Sequence, residues 1–343
     1  MKKSLAIVFC LAFCVALLAL PATAAGPVKI RFGHMAPPFH GQSKGVDAFA
    51  AYVKEKTNGT VDIKTFPMGQ LGNETSMTEQ VQAGTLQIAS ITTAVLQKFV
   101  PQVAVLDLPF VFPDRKTAYA VMDDPEVRKK LFSYMPAKGF VGIGWTENEF
   151  RDITNVKKPI RKPEDLKGIK IRVMRSPIHI DTFKQLGASV IDLPFPQVYS
   201  ALQNKTIDAQ DNPLLISVLM KFTEFTKHVT KTGHILSQCM VIVSPGFWKT
   251  LTANQQKIFR EAAKIATKVN REVNAELERK LPKSGISIED YCKKNNVQVI
   301  ELTPKEREAF KVTVKKVWEK YRGKIGPNLF DFFIGKVEEH SKK

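Results

Sequence analysis

Along the first part of the chain, segments in which apolar and polar residues alternate are separated by segments with helical periodicity. VKIRFGH (28–34), TVDIKTF (60–66) and LQIASI (86–91) have the composition and alternation of strands. Apolar residues spaced three and four apart predict a helix over 42–57, and a second helix is predicted over 74–84. Strands that alternate with helices at this spacing predict an α/β fold with a largely parallel sheet.

The middle of the chain repeats this alternation without interruption. Strands are predicted at IKIRV (169–173), ASVIDL (188–193) and TIDAQD (206–211). A helix capped by Ser176 and the helix FPQVYSALQNK (195–205) connect these strands. This β-α-β-α-β run predicts the centre of a second domain, and 343 residues are enough for two domains with separate cores.

The last third begins with a long apolar segment. HILSQCMVIVS (234–244) predicts a strand that crosses between the domains, and Thr252 caps a long helical stretch that Pro282 limits. VQVIEL (297–302) is predicted as a late strand, and amphipathic helices complete the chain. Because no low-complexity linker separates the two halves, we expect the chain to cross between the domains more than once.

The first residues have the three parts of a secretory signal peptide. Lys2 and Lys3 form a basic start, residues 5–20 are apolar, and Ala22-Thr23-Ala24 supplies the small residues of a cleavage site. Residues 1–24 are therefore predicted to be removed on export, and an uncleaved membrane anchor is the alternative. Of the four cysteines, Cys239 and Cys292 would remain in the mature chain, either paired or as separate buried thiols.

The charge balance is basic, with a net charge of +18 that falls to +16 when the two lysines leave with the signal. A basic balance can reflect nucleic acid, a membrane surface or anionic ligands. The basic residues are scattered and no aromatic-interleaved basic stripe occurs, so a nucleic-acid partner is not expected. We attribute the charge to a solvated surface that also steers anions.

Arg172 is the unusual residue of the predicted strand 169–173. Ile171 and Val173 flank it, and a guanidinium is costly to bury without a partner. An edge strand with Arg172 in water is one interpretation. The other is that Arg172 binds an anion that is not part of the chain, since its planar fork can hold a carboxylate through two parallel hydrogen bonds.

Other polar residues lie near the carboxyl ends of predicted strands, where ligands of α/β proteins bind. Arg151 could lie at the surface or in such a site, and Asn212 could cap a helix or donate its amide to a carboxylate. His179 and Asp181 lack a third metal ligand at suitable spacing, and no GxSxG, HExxH or glycine-rich phosphate loop occurs. An enzyme that acts on carboxylates is a competing class, but no nucleophile–base pair can be placed.

Several segments resemble the solute-binding receptors of tripartite ATP-independent periplasmic (TRAP) transporters, the DctP-like family. The resemblance covers nearly the whole mature chain in order, and 165–213 is its most specific part. The segments are RFGHMAPPFHG, FPMGQLGNE, LDLPFVF, DLKGIKIRVMRSP, LGASVIDLPFPQVYSALQNKTIDAQDNP, TGH and LTANQQKIFREAA.

The resemblance implies a two-domain periplasmic binding protein fold that closes on its ligand like a flytrap, with hinge strands and a long helix spanning both domains. Residues 27–150 with about 237–277 would form domain I, and 151–236 with about 278–343 would form domain II. It also implies a receptor that is not an enzyme and that delivers an organic acid to a membrane permease. We expect the mature chain to be a periplasmic monomer without a cofactor or a metal site.

The resemblance places the family's principal carboxylate-binding arginine at Arg172, which would make the ligand its missing partner. It places a second arginine at Arg151, an amide contact at Asn212 and an aromatic wall at Phe195. Supporting roles fall on Asp211 and His234, and further cleft positions on Met35, Asn73, Glu74, Thr92 and Arg175. Apart from the resemblance, Trp145 is also expected to line the ligand site.

Departures from the family pattern bear on the ligand. Gln197 stands where the family often has Glu, and DAQDNP replaces DGQENP, so Asp211 is shorter than the usual residue. Arg175 replaces a residue that is often uncharged. If Arg175 binds a second anionic group, a dicarboxylate ligand is expected. If Arg175 lies at the mouth of the cleft, it only attracts anions towards the cleft. Phe195, Trp145 and Met35 would instead suit an apolar or aromatic monocarboxylate, and a binding protein of an ATP-driven importer is a further alternative.

Overall fold

The computed structural model describes residues 27–343, so the predicted signal peptide lies outside the described residues. The strands are β1 Val28–Gly33, β2 Val61–Phe66, β3 Ile88–Thr92, β4 Val141–Phe150, β5 Asp152–Asn155, β6 Lys170–Val173, β7 Ser189–Asp192, β8 Ala209–Asn212, β9 His228–Lys231, β10 Leu236–Val243 and β11 Gln298–Glu301. The α-helices are Gly41–Lys56, Glu74–Ala83, Thr93–Leu96, Arg115–Asp123, Pro125–Phe132, Pro177–Gln185, Val198–Gln203, Leu214–Leu219, Pro245–Thr250, Ala253–Arg279, Ile288–Lys294, Pro304–Thr313, Lys315–Ile325 and Pro327–Ser341. Short 3-10 helices lie at Pro101–Asp107, Pro136–Lys138, Pro163–Leu166, Phe195–Gln197 and Phe222–Glu224.

The strands form two sheets, each covered by helices, which confirms the predicted α/β fold. The first sheet has the order β2-β1-β3-β10-β4, and the second has the order β11-β9-β5-β8-β6-β7. Neighbours β1, β2 and β3 are parallel, as are β6, β7 and β8. The prediction of a largely parallel sheet holds only for part of each sheet. β10 runs antiparallel to β3 and β4, and β5 runs antiparallel to β8 and β9.

The chain crosses between the two sheets at neighbouring points. β4 ends in the first sheet at Phe150, Arg151 follows, and β5 begins in the second sheet. The return crossing runs beside it: the N–H of Arg151 donates to Ile235 O at 2.8 Å, and the N–H of His234 donates to Arg151 O at 3.2 Å. The sequence GFVGIGW (139–145) predicts a strand that ends at Trp145, and in the structure this strand continues to Phe150. The domain boundaries themselves stay a prediction.

The helix Ala253–Arg279, here called the long helix, connects the two cores. Thr252 and Gln255 form a capping box at its start, as its predicted N-terminus requires. Its first half packs on the first sheet, where the ring of Phe259 lies edge-on to Phe49 at 5.6 Å. Near its other end, Leu277 packs in the core of the second sheet. The helix thus spans both units, as the resemblance implied.

Cys239 lies in β10 and Cys292 in the helix Ile288–Lys294, and both thiols are free and buried. Burial raises the pKa of the Cys292 thiol to about 11. The alternative of two separate buried thiols is therefore the one found. Within residues 27–343, no helix combines the length and the apolar character that crossing a bilayer requires.

Asp152 carries a pH-dependent cost to stability. It opens β5, is 6% exposed, and accepts a hydrogen bond from the Gly233 N–H at 3.1 Å. Burial raises the pKa of this carboxyl from 3.8 to about 7. Because the folded state holds this proton more tightly than the unfolded state, stability falls as the pH rises from the unfolded pKa towards about 7.

Asp152→Asn is therefore expected to stabilise the protein by up to ~4 kcal/mol above pH 7 and to change little near pH 4. Asparagine keeps an acceptor for Gly233 and removes the charge. Chemical denaturation at both pH values measures the difference, with the exposed Asp290→Asn as control. An equal effect of Asp152→Asn at the two pH values would show that ionisation of the buried Asp152 carboxyl does not destabilise the fold.

Candidate functional site

A cavity of roughly 390 Å³, counting the open space at its mouth, lies between the two sheets. Both units contribute to its wall, and half of the lining residues are apolar. Residues before the crossing at Arg151 supply Met35, Ala36, Pro37, Glu74, Thr92 and Asn148, and those from the crossing onward supply Arg151, Arg172, Met174, Phe195, Asn212 and Ile216.

Arg172 lies in β6, which is bordered by β8 and β7 and is not an edge strand. Ile171 and Val173 are fully buried, and Arg172 itself is only 1% exposed. The surface interpretation of this arginine is therefore wrong. Strand alternation turns the side chain of Arg172 away from its two apolar neighbours, and it lines the cavity.

Only part of the Arg172 guanidinium forms hydrogen bonds within the protein. Nε and Nη2 donate to Leu193 O at 3.0 and 2.6 Å, whereas Nη1 is buried and has no hydrogen-bond partner in residues 27–343. No carboxylate of the described chain forms an ion pair with it. Burial lowers the pKa of Arg172 to about 10, which still leaves it charged at neutral pH. The end of the fork formed by Nη1 and the second N–H of Nη2 is thus open to an anion.

Arg151 differs because its charge is matched within the protein. Its Nε lies 2.8 Å from Asp211 Oδ2, and both side chains are at most 1% exposed. Nη2 donates to Asp211 O, and Nη1 donates to Ser237 Oγ at 3.3 Å. Arg151 lines the cavity beside Asn212, so the structure brings these two predicted residues to Arg172.

The carboxylate of Asp211 lies close to three basic side chains. Besides Arg151, His234 Nε2 and His179 Nδ1 lie 3.4 and 3.5 Å from Asp211 Oδ2. Although burial opposes it, the charge of Arg151 holds the pKa of Asp211 well below its usual range. His179 Nε2 lies 3.6 Å from Asp107, and despite burial these two carboxylates raise the pKa of His179. His179 thus belongs to a charge network, which sequence spacing did not indicate.

Glu74 is the acidic residue of the cavity. It opens the helix Glu74–Ala83, which Asn73 caps by accepting from the N–H of Ser76. Its carboxylate is 8% exposed, and Oε1 accepts from the N–H of Thr92 at 2.7 Å. Burial raises the pKa of Glu74, although Thr92 and the two arginines act in the opposite direction.

Arg175 and Asn73 lie outside this cavity. They line an adjacent, smaller one, where Arg175 is 44% exposed and its Nε is 3.8 Å from Asp192 Oδ2. The two cavities are continuous in their lining and share five residues: Met35, Glu74, Arg172, Met174 and Phe195. Phe195 packs edge-on against Phe222 at 6.0 Å. The geometry therefore places Arg175 at the rim.

Trp145 is not brought to either cavity. Its ring is 1% exposed and packs against Phe132 at 5.1 Å, with the Arg128 guanidinium 4.8 Å from its centre. The expectation that Trp145 forms part of the ligand wall is corrected, because residues an odd number apart on a strand face opposite sides. Asn148, three residues further along β4, lines the cavity instead.

Several lining residues were missed by the sequence analysis. Met174 lies two positions after Arg172, so the same strand alternation would have indicated it. Asn148 was missed because the strand was predicted to end too early. Ala36 and Pro37 lie in the irregular segment after β1, where side-chain directions follow no periodic pattern. Ile216 lies in the helix Leu214–Leu219, which the sequence analysis did not predict.

Comparison with known proteins gives similarities that extend over most of the chain. The family model described as "Bacterial extracellular solute-binding protein, family 7" (DctP) matches residues 32–324. A "Solute-binding protein" of Verminephrobacter eiseniae is 36% identical over 250 residues, which make up 73% of this chain and 74% of that protein. The similarity therefore concerns both sheets and the cavity between them.

Solved structures with the same fold carry bound organic acids. A TRAP periplasmic solute-binding protein of a Polaromonas species, bound to D-erythronate, is 32% identical with a TM-score of 0.82, over 90% of this chain and 98% of that chain. Another, from Sulfurospirillum deleyianum with bound succinate, is also 32% identical with a TM-score of 0.82, over 92% and 99% of the two chains. The two ligands share a carboxylate and differ in the rest of their chemistry.

Proposed function

Since the chain belongs to the DctP family of bacterial extracellular solute-binding proteins, we propose that it is a periplasmic receptor that holds a small organic acid through Arg172. Related receptors of TRAP transporters have been solved with such acids bound. In this proposal residues 1–24 direct export and are removed, and the mature chain works as a monomer. It delivers its ligand to a membrane permease and performs no chemistry on it.

The open end of the Arg172 guanidinium is the observation that carries this proposal. A buried positive charge with an unpartnered Nη1 needs a compensating anion, and no side chain among residues 27–343 supplies one at ion-pair distance. A carboxylate fits this end bidentately. Asn212 lines the same cavity and is proposed to donate its amide to the same carboxylate.

The position of the cavity supports capture by domain closure. Its wall comes from both units, and the two chain crossings lie side by side at Arg151 and Ile235. Bending at these crossings would open and close the cleft, as in other hinged binding proteins. Closure would also exclude water, which strengthens the contact between Arg172 and a carboxylate.

A thermal-shift screen of the mature protein tests the receptor proposal. The panel contains mono- and dicarboxylic acids, each with its methyl ester, and the ester removes the charge that Arg172 would bind. A ligand that binds only the folded state stabilises it by about 4 kcal/mol at a thousand times Kd. We expect at least one acid to raise Tm and its full ester to have no effect.

Two results would contradict the proposal. An ester that stabilises as well as its acid would remove the need for an arginine–carboxylate contact. Conversion of an acid into a product during the incubation, followed by chromatography, would make the protein an enzyme and not a receptor.

A further inference from the structure

We propose that His179 is an imidazolium ion held between Asp107 and Asp211, and, resting on the receptor function above, that it positions Arg151 for ligand capture. The contact Asp107–His179–Asp211 is here called the histidine bridge. His179 lines neither cavity, so it is a positioning residue that acts through Asp211. Folding and ligand capture then both depend on a proton held outside the ligand site.

Both ring nitrogens of His179 face a carboxylate. Nε2 lies 3.6 Å from Asp107 Oδ1, Nδ1 lies 3.5 Å from Asp211 Oδ2, and all three side chains are at most 2% exposed. A neutral imidazole has one N–H, so its other nitrogen would turn a lone pair towards a carboxylate, which only accepts hydrogen bonds. The imidazolium is the form that offers a donor to both sides.

The charges of this buried group balance when His179 carries its proton. Asp107 and Asp211 are the two anions, and Arg151 is a cation 2.8 Å from Asp211. The second ring beside Asp211 does not supply the missing charge, because burial lowers the pKa of His234. With a neutral His179 the group would hold a net negative charge away from water, which is costly.

The other charged groups around the helix Pro177–Gln185 have different partners. Asp181 accepts a hydrogen bond from Tyr321 Oη at 2.7 Å and pairs with Lys320 Nζ at 2.7 Å, both from the helix Lys315–Ile325. No third carboxylate of residues 27–343 lies within 4 Å of the His179 ring nitrogens. The histidine bridge is therefore made by Asp107 and Asp211 alone.

The histidine bridge joins parts of the chain that lie before and after the crossing at Arg151. Asp107 ends the 3-10 helix Pro101–Asp107 and is held by Thr93 Oγ1, which donates to it at 3.0 Å directly after β3 of the first sheet. His179 lies in the helix that follows β6 of the second sheet. Beside it, Gln97 Nε2 donates at 2.6 Å to the Oγ of Ser176, which caps this helix.

Asp211 connects the histidine bridge to the ligand cavity. Its Oδ2 faces both His179 Nδ1 and Arg151 Nε, and the cavity is lined by Arg151 and by Asn212, the next residue of β8. When His179 loses its proton, Asp211 keeps Arg151 as its one charged partner and a net negative charge remains near the cavity. Both changes weaken the binding of a carboxylate.

The direction of the pH dependence follows from this arrangement. Although burial opposes it, the two carboxylates raise the pKa of His179 above its ordinary 6.5. Because the folded state binds this proton more tightly than the unfolded state, the stabilisation is complete below pH 6.5 and is lost as the pH rises through the pKa of the folded state.

Nitrogen-15 NMR of the mature protein with labelled histidines tests the protonation state. We expect one ring to have both nitrogens mainly protonated at pH 7, where an ordinary histidine is mostly neutral, and its signals to be missing in His179→Gln. A His179 ring that is mainly neutral at pH 7 would overturn the proposal.

A set of variants tests the charge balance. His179→Gln is expected to lower the folding equilibrium constant at pH 6 by about 100-fold or more, since it leaves a buried carboxylate uncompensated, and to lower it less at pH 9. Asp107→Asn should destabilise the native protein but stabilise His179→Gln, because there it removes the uncompensated charge. His228→Gln is the matched control, since this partly exposed ring contacts the amide of Gln298.

Calorimetry at pH 6 with D-erythronate and succinate tests the positioning role. We expect His179→Gln to bind the tighter of the two acids about tenfold or more weakly, because a net negative charge then lies near the cavity. The double variant with Asp107→Asn should recover most of this loss, and His228→Gln should bind as the native protein does. A packing role for His179 would give no such recovery.

The outcomes separate this proposal from the receptor function. If the effects of His179→Gln and Asp107→Asn on stability simply add, the histidine bridge is not an ionic contact and the receptor function stands. If His179→Gln lowers stability but leaves the affinity unchanged, the positioning role is wrong. If neither acid binds and the thermal-shift panel is also negative, the receptor proposal fails and takes the positioning role with it, whereas NMR still decides the charge of His179.

Discussion

Replacing Arg172 with alanine is expected to weaken ligand binding by about 100-fold or more and to leave the chain folded. The variant removes the guanidinium end that Nη1 and Nη2 present to the cavity. Two charge-assisted hydrogen bonds of about 1.5–3 kcal/mol each correspond to at least this loss. The fold loses only the two contacts to Leu193 O, and an uncompensated buried charge is removed at the same time.

Calorimetry with the best acid of the screen measures this effect, and circular dichroism checks the fold. Arg172→Lys is also expected to bind poorly, because an ammonium cannot form the planar two-bond contact. Arg175→Ala is the control arginine: its side chain is 44% exposed at the rim, so the expected loss is below tenfold. Retention of most of the affinity in Arg172→Ala would disprove the carboxylate contact.

Replacing Asp211 with asparagine is expected to lower the free energy of unfolding by about 3–5 kcal/mol, the usual cost of removing one partner of a buried ion pair. Asp211 is fully buried, and its Oδ2 lies 2.8 Å from Arg151 Nε. Without the carboxylate charge, Arg151 stays buried and unpaired, and His234 loses its only acidic neighbour within 4 Å in residues 27–343. Ligand binding should fall as well, because the cavity is lined by Arg151, the partner of Asp211, and by Asn212, its neighbour in β8.

Denaturant unfolding of the mature protein measures the change in stability. Asp192→Asn is the matched control, since Asp192 is 52% exposed and its carboxylate lies 3.8 Å from Arg175, which is 44% exposed. Surface changes of this kind usually stay within about 0.5 kcal/mol. If the two variants had equal stability, the buried network around Asp211 would not contribute to folding in the way described.

The regular elements of the fold could be predicted because their signals are local. The long helix has an N-terminal capping box and helical periodicity, and the helix Pro177–Gln185 has a Ser176 cap and a proline at its start. The antiparallel direction of β10 could not be predicted in this way. Strand direction depends on which strands meet in space, and the pairing of β10 with β3 and β4 joins residues far apart in sequence.

The sequence predicted a cavity residue correctly at Arg172, where the cost of burying a charge leaves few alternatives. A charged residue between Ile171 and Val173 had to be either at an edge or in a site, and burial on both faces of β6 decides between them. Trp145 and Arg175 had no such constraint. Their sequence neighbours allow either direction, and the packing of Phe132 and the exposure of the rim determine where these side chains lie.

The contact between Arg172 and the ligand carboxylate is tested most directly by a crystal structure of the mature protein with the tightest-binding acid. The account predicts a closed cleft in which a carboxylate oxygen lies about 2.7–2.9 Å from Nη1 of Arg172. A carboxylate bound elsewhere, with Nη1 still unpartnered, would contradict the account.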